Sequence, residues 1–407
     1  MNFWDTEIAD SFNGLELKTY LNKKRIIKYL YRLGELSGAE ISKILHVSAP
    51  TTNTYINELI KEGFIENRGK GDSIGGRKPN LYGLKKNSVY IVGVDMGRKF
   101  FGIGIYNNDL EKVSSVSLDA ISFKNRDKLI DFVFTETTKL FKSEGISEKK
   151  IMGIGINMPG LIDSEKGINY TYLYKDGEPL VDAFCKKFKR PVFIENDSKA
   201  RTLAEMRYGA AKDYNNALVI QIDWGLGLGM ILNGKLYSGK SGFAGEFSHI
   251  PIESNGVLCN CGKVGCLETI ASGNALVRFA VEGLEENKQS KLYKQYKADV
   301  ESITPKLIID EAHKGDQFAL SLIQKVGVGL GKGISYLIQI LNPEVVILGG
   351  VLSHAGQYIE IPVKQSIYQY CLPKLHEDTK LKISTLGAES GLIGSAIVVL
   401  ENILENN

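Results

Sequence analysis

Residues 241–268 read SGFAGEFSHIPIESNGVLCNCGKVGCLE, a glycine-rich stretch in which three thiols and one imidazole fall within eighteen residues. Cys259 and Cys261 flank a single residue, Gly262 lets the chain turn directly after them, Cys266 returns after a short loop, and His249 stands upstream. Four soft donors in this arrangement suit tetrahedral zinc. The plainer alternative, a set of buried reduced cysteines, accounts poorly for the clustering here of three of the chain's five cysteines. All four donors are protein atoms, which leaves no position for an activated water. The ion is therefore expected to be structural, a clip that shapes the loop. Glu246 and Glu268 flank the clip and are expected to face a polar group, with a solvated surface as the alternative.

A chain of 407 residues can bury large cores and is expected to contain two or three domains. Its 43 glycines fit many tight turns rather than a helical rod. The formal charge of +3 is unevenly spread: residues 1–90 hold fourteen Lys/Arg against ten Asp/Glu, a net +4. Neither value alone identifies a nucleic-acid partner. The first residues, MNFWDTEIAD, have neither a basic start nor an apolar core, and with five cysteines this suggests the reducing cytoplasm. No apolar run is long enough to cross a bilayer, so no membrane partner is expected.

Residues 1–14 read as a loose arm. Leu17, Leu21, Ile26, Ile27, Leu30 and Leu33 then give a helical apolar stripe that Gly34 breaks. Ser37 with Glu40 three residues later forms a capping box for a second helix. A short turn at His46 to Ser48 leads to a third helix with Pro50 in its first turn, which Gly63 ends. Helix, turn, helix and a following hairpin make a winged helix-turn-helix. Ser48, Thr51, Thr52, Asn53 and Tyr55 are expected on the exposed side of the third helix, as groups suited to base edges and phosphates of duplex DNA. The wing, Asn67 to Asn80, carries Arg68, Lys70, Arg77 and Lys78 on a glycine-rich loop that would approach the DNA backbone or minor groove. The alternatives are a solvated loop and a protein-binding module. One such unit reads half a site, so a homodimer, or a tetramer built from dimers, is implied.

In the body, a strand from Tyr90 leads to Asp95, Met96 and Gly97. Ile151 to Ile156 is a buried strand, and Val192 to Ile194 is another that delivers Glu195, Asn196 and Asp197 to the start of a helix. At such a corner Asp197 would serve either as a general base toward a hydroxyl or as a helix cap. Asp223-Trp224-Gly225-Leu226-Gly227 follows a strand from Ala217. Its alternate glycines mark close backbone approach, to a ligand or to a neighbouring strand, but it lacks the lysine and hydroxyl of a P-loop. The long helix from about Phe318, with several glycines, should pack closely against a sheet, and a closing apolar helix runs to Leu400.

Together these motifs resemble the ROK family of repressors, open-reading-frame proteins and sugar kinases, over nearly all of residues 15–400. The family's Cys-x-Cys-Gly-x-x-Gly-Cys-x-Glu is complete at Cys259 to Glu268, and its Glu-x-Gly-His appears as Glu246-Phe247-Ser248-His249, with serine for glycine. The resemblance implies an α/β, two-lobed, actin-like (ribonuclease-H-like) ATPase fold behind the winged head. It implies zinc on His249, Cys259, Cys261 and Cys266, and a sugar site of Asn196, Asp197, Glu246, His249 and Glu268. In a kinase Asp197 would be the catalytic base. The nucleotide side departs from the family. Its Asp-x-Gly-Gly-Thr is here Asp95-Met96-Gly97-Arg98-Lys99, and its Gly-Thr-Gly-x-Gly is here Asp223 to Gly227. An acid and an indole oppose phosphate by charge and by volume, so ATP is not an expected cofactor.

The expected domains are residues 1–86 (arm and winged head), 87–200 (first α/β lobe, closed by a C-terminal helix at about 387–407) and 201–386 (second lobe with the zinc loop). The expected function is a sugar-responsive transcriptional regulator, a repressor of carbohydrate uptake or catabolism genes. It would bind operator DNA as an oligomer and a sugar or sugar phosphate between its lobes. The alternative is an active ATP-dependent hexose or amino-sugar kinase with a DNA-binding head.

Overall fold

The computed structural model describes residues 3–4, 12–72, 78–97, 99–119, 125–175 and 178–405. The chain forms two units, residues 1–197 with 391–407, and residues 198–390.

Unit 1 begins with the head: α1 (Gly14–Leu33), β1 (Leu36–Ser37), α2 (Gly38–Leu45), α3 (Ala49–Lys61), β2 (Ile65–Lys70) and β3 (Asn80–Leu84). The strands form an antiparallel sheet in the order β1-β3-β2. The capping box is present: Glu40 N donates to Ser37 Oγ at 3.2 Å, and Ser37 N donates to Glu40 Oε2 at 2.7 Å. His46 takes a left-handed conformation, which turns the chain between α2 and α3, and Ser48 caps α3 through Thr51 N. Two expectations fail here. The first residues are not wholly loose: Phe3 and Trp4 are buried, Phe3 stacks on Tyr20, and Tyr20 Oη donates to Phe3 O. The apolar stripe of α1 is also turned, leaving Leu21 and Leu33 exposed while Lys23 is buried. Its ammonium sits 2.6 Å from Glu58 and 2.8 Å from Glu62, both on the α3 side. Burial works against the charged form, but the two carboxylates prevail and raise the Lys23 pKa.

The body of unit 1 continues through β4 (Tyr90–Met96), β5 (Phe100–Asn107), β6 (Lys112–Asp119), α4 (Arg126–Ser143), β7 (Ile151–Met158), a small hairpin of β8 (Ile162–Asp163) and β9 (Ile168–Asn169), α5 (Leu180–Phe188) and β10 (Val192–Asn196). Asp197 then opens α6 (Asp197–Tyr208). Unit 2 contains β11 (Ala217–Ile222), β12 (Leu226–Leu232), β13 (Lys235–Leu236), α7 (Glu268–Ala271), α8 (Gly273–Gly283), α9 (Lys291–Tyr296), α10 (Pro305–His313), α11 (Gln317–Leu341), β14 (Val345–Gly349), α12 (Gln357–Tyr370), α13 (Pro373–Asp378) and β15 (Lys380–Ile383). The closing helix, α14 (Ser390–Leu400), packs in unit 1.

The two large sheets share one plan. In unit 1 the order is β10-β7-β4-β5-β6, and in unit 2 it is β13-β12-β11-β14-β15. In each, the first strand is central, the next two run antiparallel to one side, and the last two add in parallel on the other. The central strands are runs of Val and Ile buried on both faces, as strands covered by helices require. In unit 1, α4 and α5 supply Leu129, Val133, Leu180 and Phe184 to the core. On the other face, a side chain at Gly93 or Gly155 would collide with the Leu392 or Ser395 carbonyl, so these glycines let α14 lie directly on the sheet. Asn157 Nδ2 fixes that contact by donating to Gly391 O and Ser395 Oγ, each at 2.8 Å.

The glycines of α11 serve helices rather than the expected sheet. Gly327 and Gly331 meet Pro362 and Ser366 of α12, while Gly329 and Gly333 meet Ile270 of α7 and the adjoining Leu267. No helix among the described residues is long and apolar enough to cross a membrane.

Candidate functional site

The clip is built from backbone turns. Gly262 and Gly265 both have positive φ, 87° and 73°, where a side chain is disfavoured. Cys259 N donates to Lys263 O and Gly265 N to Val257 O, while Ile252 N and Glu253 N donate to Gly265 O. These bonds fold residues 250–266 back on themselves and bring His249 to the thiols. His249 Nδ1 lies 3.6 Å from Cys259 Sγ, and Cys261 Sγ lies 3.6 Å from Cys266 Sγ. One donor atom from each of the four residues lies within 4.8 Å of the others. A tetrahedron with zinc–sulfur bonds of about 2.3 Å has edges of about 3.7 Å, so the donor set fits a metal ion of that size. Burial pushes the Cys266 thiol up to about 12 and also raises Cys259, whereas the Lys263 N–H lowers Cys261. A bound cation would favour the thiolates that burial opposes.

The same fold positions two predicted sugar-binding acids. His249 Nε2 lies 3.9 Å from Glu246 Oε2, beyond hydrogen-bond distance. Glu268 opens α7 two residues after Cys266, and Leu267 N is held by Ile250 O. A Cβ on Gly225 would stand 3.5 Å from Glu268 Oε2, so this carboxylate borders the glycine turn. Glu246, His249 and Glu268 thus gather around the clip in unit 2. Asn196 and Asp197 lie in unit 1, at the corner between β10 and α6. There Asn196 N donates to Glu195 Oε1 at 2.7 Å and Asn196 Nδ2 to Gly160 O at 3.2 Å.

In the two altered nucleotide loops, several groups pack against the protein itself. Asp95 is buried at the end of β4, and a side chain at Gly97 would run into the Phe100 ring. Lys99 is described, but Arg98 lies outside the described residues. In unit 2, Asp223 Oδ1 accepts from Val351 N at 2.8 Å, Asp223 O from Gly273 N, and Trp224 O from Asn274 N. A Cβ on Gly227 or Gly229 would collide with Ser198 or Thr202 of α6. At Gly227 and Gly229 the close approach that these glycines announce is to a helix.

On the head, the structure leaves Ser48 and Asn53 exposed and Thr51 partly exposed. It corrects two positions. Thr52 is fully buried with its hydroxyl on Ser48 O, and Tyr55 is 6% exposed in the core. Thr52 and Tyr55 lie one and two residues from Asn53, and the polar row and the buried row of one short helix look alike in sequence. Thr54 and Asn57, exposed on the same helix, complete the polar face, and sequence reading missed them. Lys70 and Lys78 are exposed, and Arg68 folds back to donate to Leu84 O at 2.8 Å. Arg77 lies outside the described residues.

The sequence pattern of the ROK family matches residues 91–402, and that of a winged helix-turn-helix DNA-binding domain matches residues 21–66. The xylose repressor of Caldicellulosiruptor bescii is 30% identical over 386 residues, 94% of this chain and 96% of its own. The glucokinase of Thermotoga maritima is 32% identical over 316 residues, 77% of this chain and 98% of its own. Among solved structures, a ROK family transcriptional regulator described as a homologue of the E. coli MLC protein superposes with a TM-score of 0.75. It is 27% identical, and the match covers 94% of this chain and 97% of that one.

Proposed function

The chain belongs to the ROK family, and on that premise we propose that it is a sugar-responsive transcriptional regulator, a repressor of carbohydrate genes whose winged head grips operator DNA. The head carries this reading. The xylose repressor aligns along head and body alike, whereas the glucokinase matches 77% of the chain with 98% of its own length, which leaves no room in it for such a head. The exposed row of Ser48, Asn53, Thr54 and Asn57 suits base edges, and Lys70 and Lys78 suit phosphates. Two heads in a homodimer would read the two halves of an operator.

The proposed effector is a sugar or sugar phosphate, with Asn196, Asp197, Glu246, His249 and Glu268 as the residues suited to its hydroxyls. A ligand that binds one conformation of the body better than another shifts the population and so changes operator affinity. Zinc on His249, Cys259, Cys261 and Cys266 would be structural, with every position taken by protein.

Phosphoryl transfer is not part of this reading, because the Asp223 carboxylate is bonded to Val351 N and an acid and an indole take the places of the glycine and threonine of the kinases' phosphate loop. A kinase carrying a DNA-binding head is the rival, favoured by Asp197 at its strand–helix corner. Binding to the promoter region beside its own gene, followed by anisotropy, separates the two. The regulator is expected to bind there, to be released by one of a panel of hexoses, pentoses and amino sugars, and to show no ATP turnover. Asn53→Ala should weaken operator binding about tenfold at the base it reads. Sugar phosphorylation that Asp197→Asn abolishes, without sugar-dependent DNA release, would establish the rival.

A further inference from the structure

We propose that Tyr170 and Tyr174 form a stacking platform for the apolar face of the effector carbohydrate and so help determine which sugar is accepted; this rests on the sugar-responsive reading above. The two rings are stacked, with centroids 5.6 Å apart and planes 28° apart, yet they are 40% and 52% exposed. A pair of large rings held this way at a surface offers a flat apolar area edged by phenolic hydroxyls.

The platform stands on a built loop. Asn169 is buried, and its Nδ2 donates to Pro159 O at 3.0 Å while its Oδ1 accepts from Thr171 N at 3.0 Å and Tyr172 N at 2.9 Å. Leu161 N donates to Thr171 Oγ1, and Tyr170 N to Leu161 O, both at 2.9 Å. Gly160 has φ 107°, and a Cβ there would press on Thr171 at 2.8 Å, so this turn admits glycine alone without adjustment. Leu173 takes φ 60°, which leucine rarely adopts, while its side chain packs on the unit 1 core. Anchoring Leu173 inward fixes the backbone on either side of it, including that of Tyr174. Such strained positions collect where a binding surface must be held in one shape.

The loop is also tied to the residue expected to grip sugar hydroxyls, because Gly160 O accepts from Asn196 Nδ2 at 3.2 Å. A pyranose or pentopyranose presents hydroxyls around its edge and C–H groups on a face. Amide and carboxylate groups satisfy the edge, and a rigid aromatic surface takes the face. Asn196 and the tyrosine pair, joined through one hydrogen-bonded loop, supply both.

Isothermal titration of the full-length, metal-loaded protein with D-xylose, D-glucose, N-acetyl-D-glucosamine and their phosphates tests this. Tyr170→Ala and Tyr174→Ala should each weaken the sugar that the unaltered protein binds by about tenfold. The double Tyr→Phe variant, which keeps both ring faces, should bind as the unaltered protein does. Circular dichroism and metal content verify the fold of every variant. Alanine variants with unaltered affinity, beside an Asn196→Ala variant that loses it, would overturn the platform and leave the sugar-responsive reading standing. Phenylalanine variants as weak as the alanine ones would also overturn it, since hydroxyl contacts and not stacking would then carry the binding. Unaltered protein that binds none of these sugars would overturn both.

Discussion

The clip at residues 249–266 and the glycine loop at residues 223–229 lie in the same unit and look equally turn-like in sequence, yet they use their polar groups in opposite ways. In the clip, backbone bonds to backbone, and the four side chains converge within 4.8 Å of one another. In the glycine loop, the Asp223 carboxylate is bonded to Val351 N, the carbonyls of Asp223 and Trp224 hold the start of α8, and the space beside Gly227 and Gly229 is filled by α6. Glycine marks close approach in both. Only the identity of what approaches distinguishes a site prepared for a ligand from a site already packed by the protein.

Four substitutions would break or sharpen that contrast. The largest effect is expected from Cys266→Ser, which should abolish stoichiometric metal binding and lower Tm by roughly 10 °C, as read by elemental analysis and calorimetry. An unchanged Tm would mean that the clip holds its shape without an ion. Next, Gly227→Ala adds a Cβ where Ser198 Oγ already sits and should cost about 1–3 kcal/mol in urea unfolding. A neutral result would reopen the loop as a ligand site.

Asp316 gives a benchmark for carboxylates consumed by capping. It accepts from Ala319 N at 3.0 Å, Lys291 N at 2.6 Å and Ser290 Oγ at 2.9 Å. Burial alone would raise its pKa, but these donors prevail and hold it below the ordinary carboxylate value. A depressed folded value stabilises the protein above the unfolded pKa of about 3.9 and loses that contribution as pH falls through the lower folded value. Asp316→Ala should therefore cost about 1–2 kcal/mol at pH 7. The gap between the urea midpoints of the two proteins should close as the solution is acidified below that range. The smallest effect is expected from Asp223→Ala, about 1 kcal/mol for one N–H left without its acceptor, measured the same way. A cost larger than that of Asp316→Ala would show that Asp223 does more than cap Val351.

Much of this was legible because it is local. Ser37 with Glu40, Ser48 before Pro50, and Asp197 after a short apolar strand each carry their signal within a few residues, and each stands at the element end expected of it. The donor spacing of Cys259, Cys261 and Cys266 is local too, and its turns follow from Gly262 and Gly265. What was missed depends on partners distant in sequence. Thr52 and Tyr55 read as polar surface but are buried once the head folds, and Leu21 reads as core until Lys23 takes its place between Glu58 and Glu62. Phe3 gives no helical period, yet it finds Tyr20 and Phe64. The glycines of α11 announce a close neighbour without saying whether it is a sheet or another helix. The β8–β9 hairpin is too short to show strand alternation, and its cue is Asn169, whose amide organises the turn only after folding.

The two indoles of the chain are divided between the units, Trp4 in the head and Trp224 in the glycine loop. Trp4 is 1% exposed beneath the Lys24 ammonium, while Trp224 is half-buried. Their fluorescence should differ in colour and in access to quencher, so Trp4→Phe and Trp224→Phe each leave an optical probe confined to one unit. Such a pair of proteins would time separately what a small solute does to one unit and to the other.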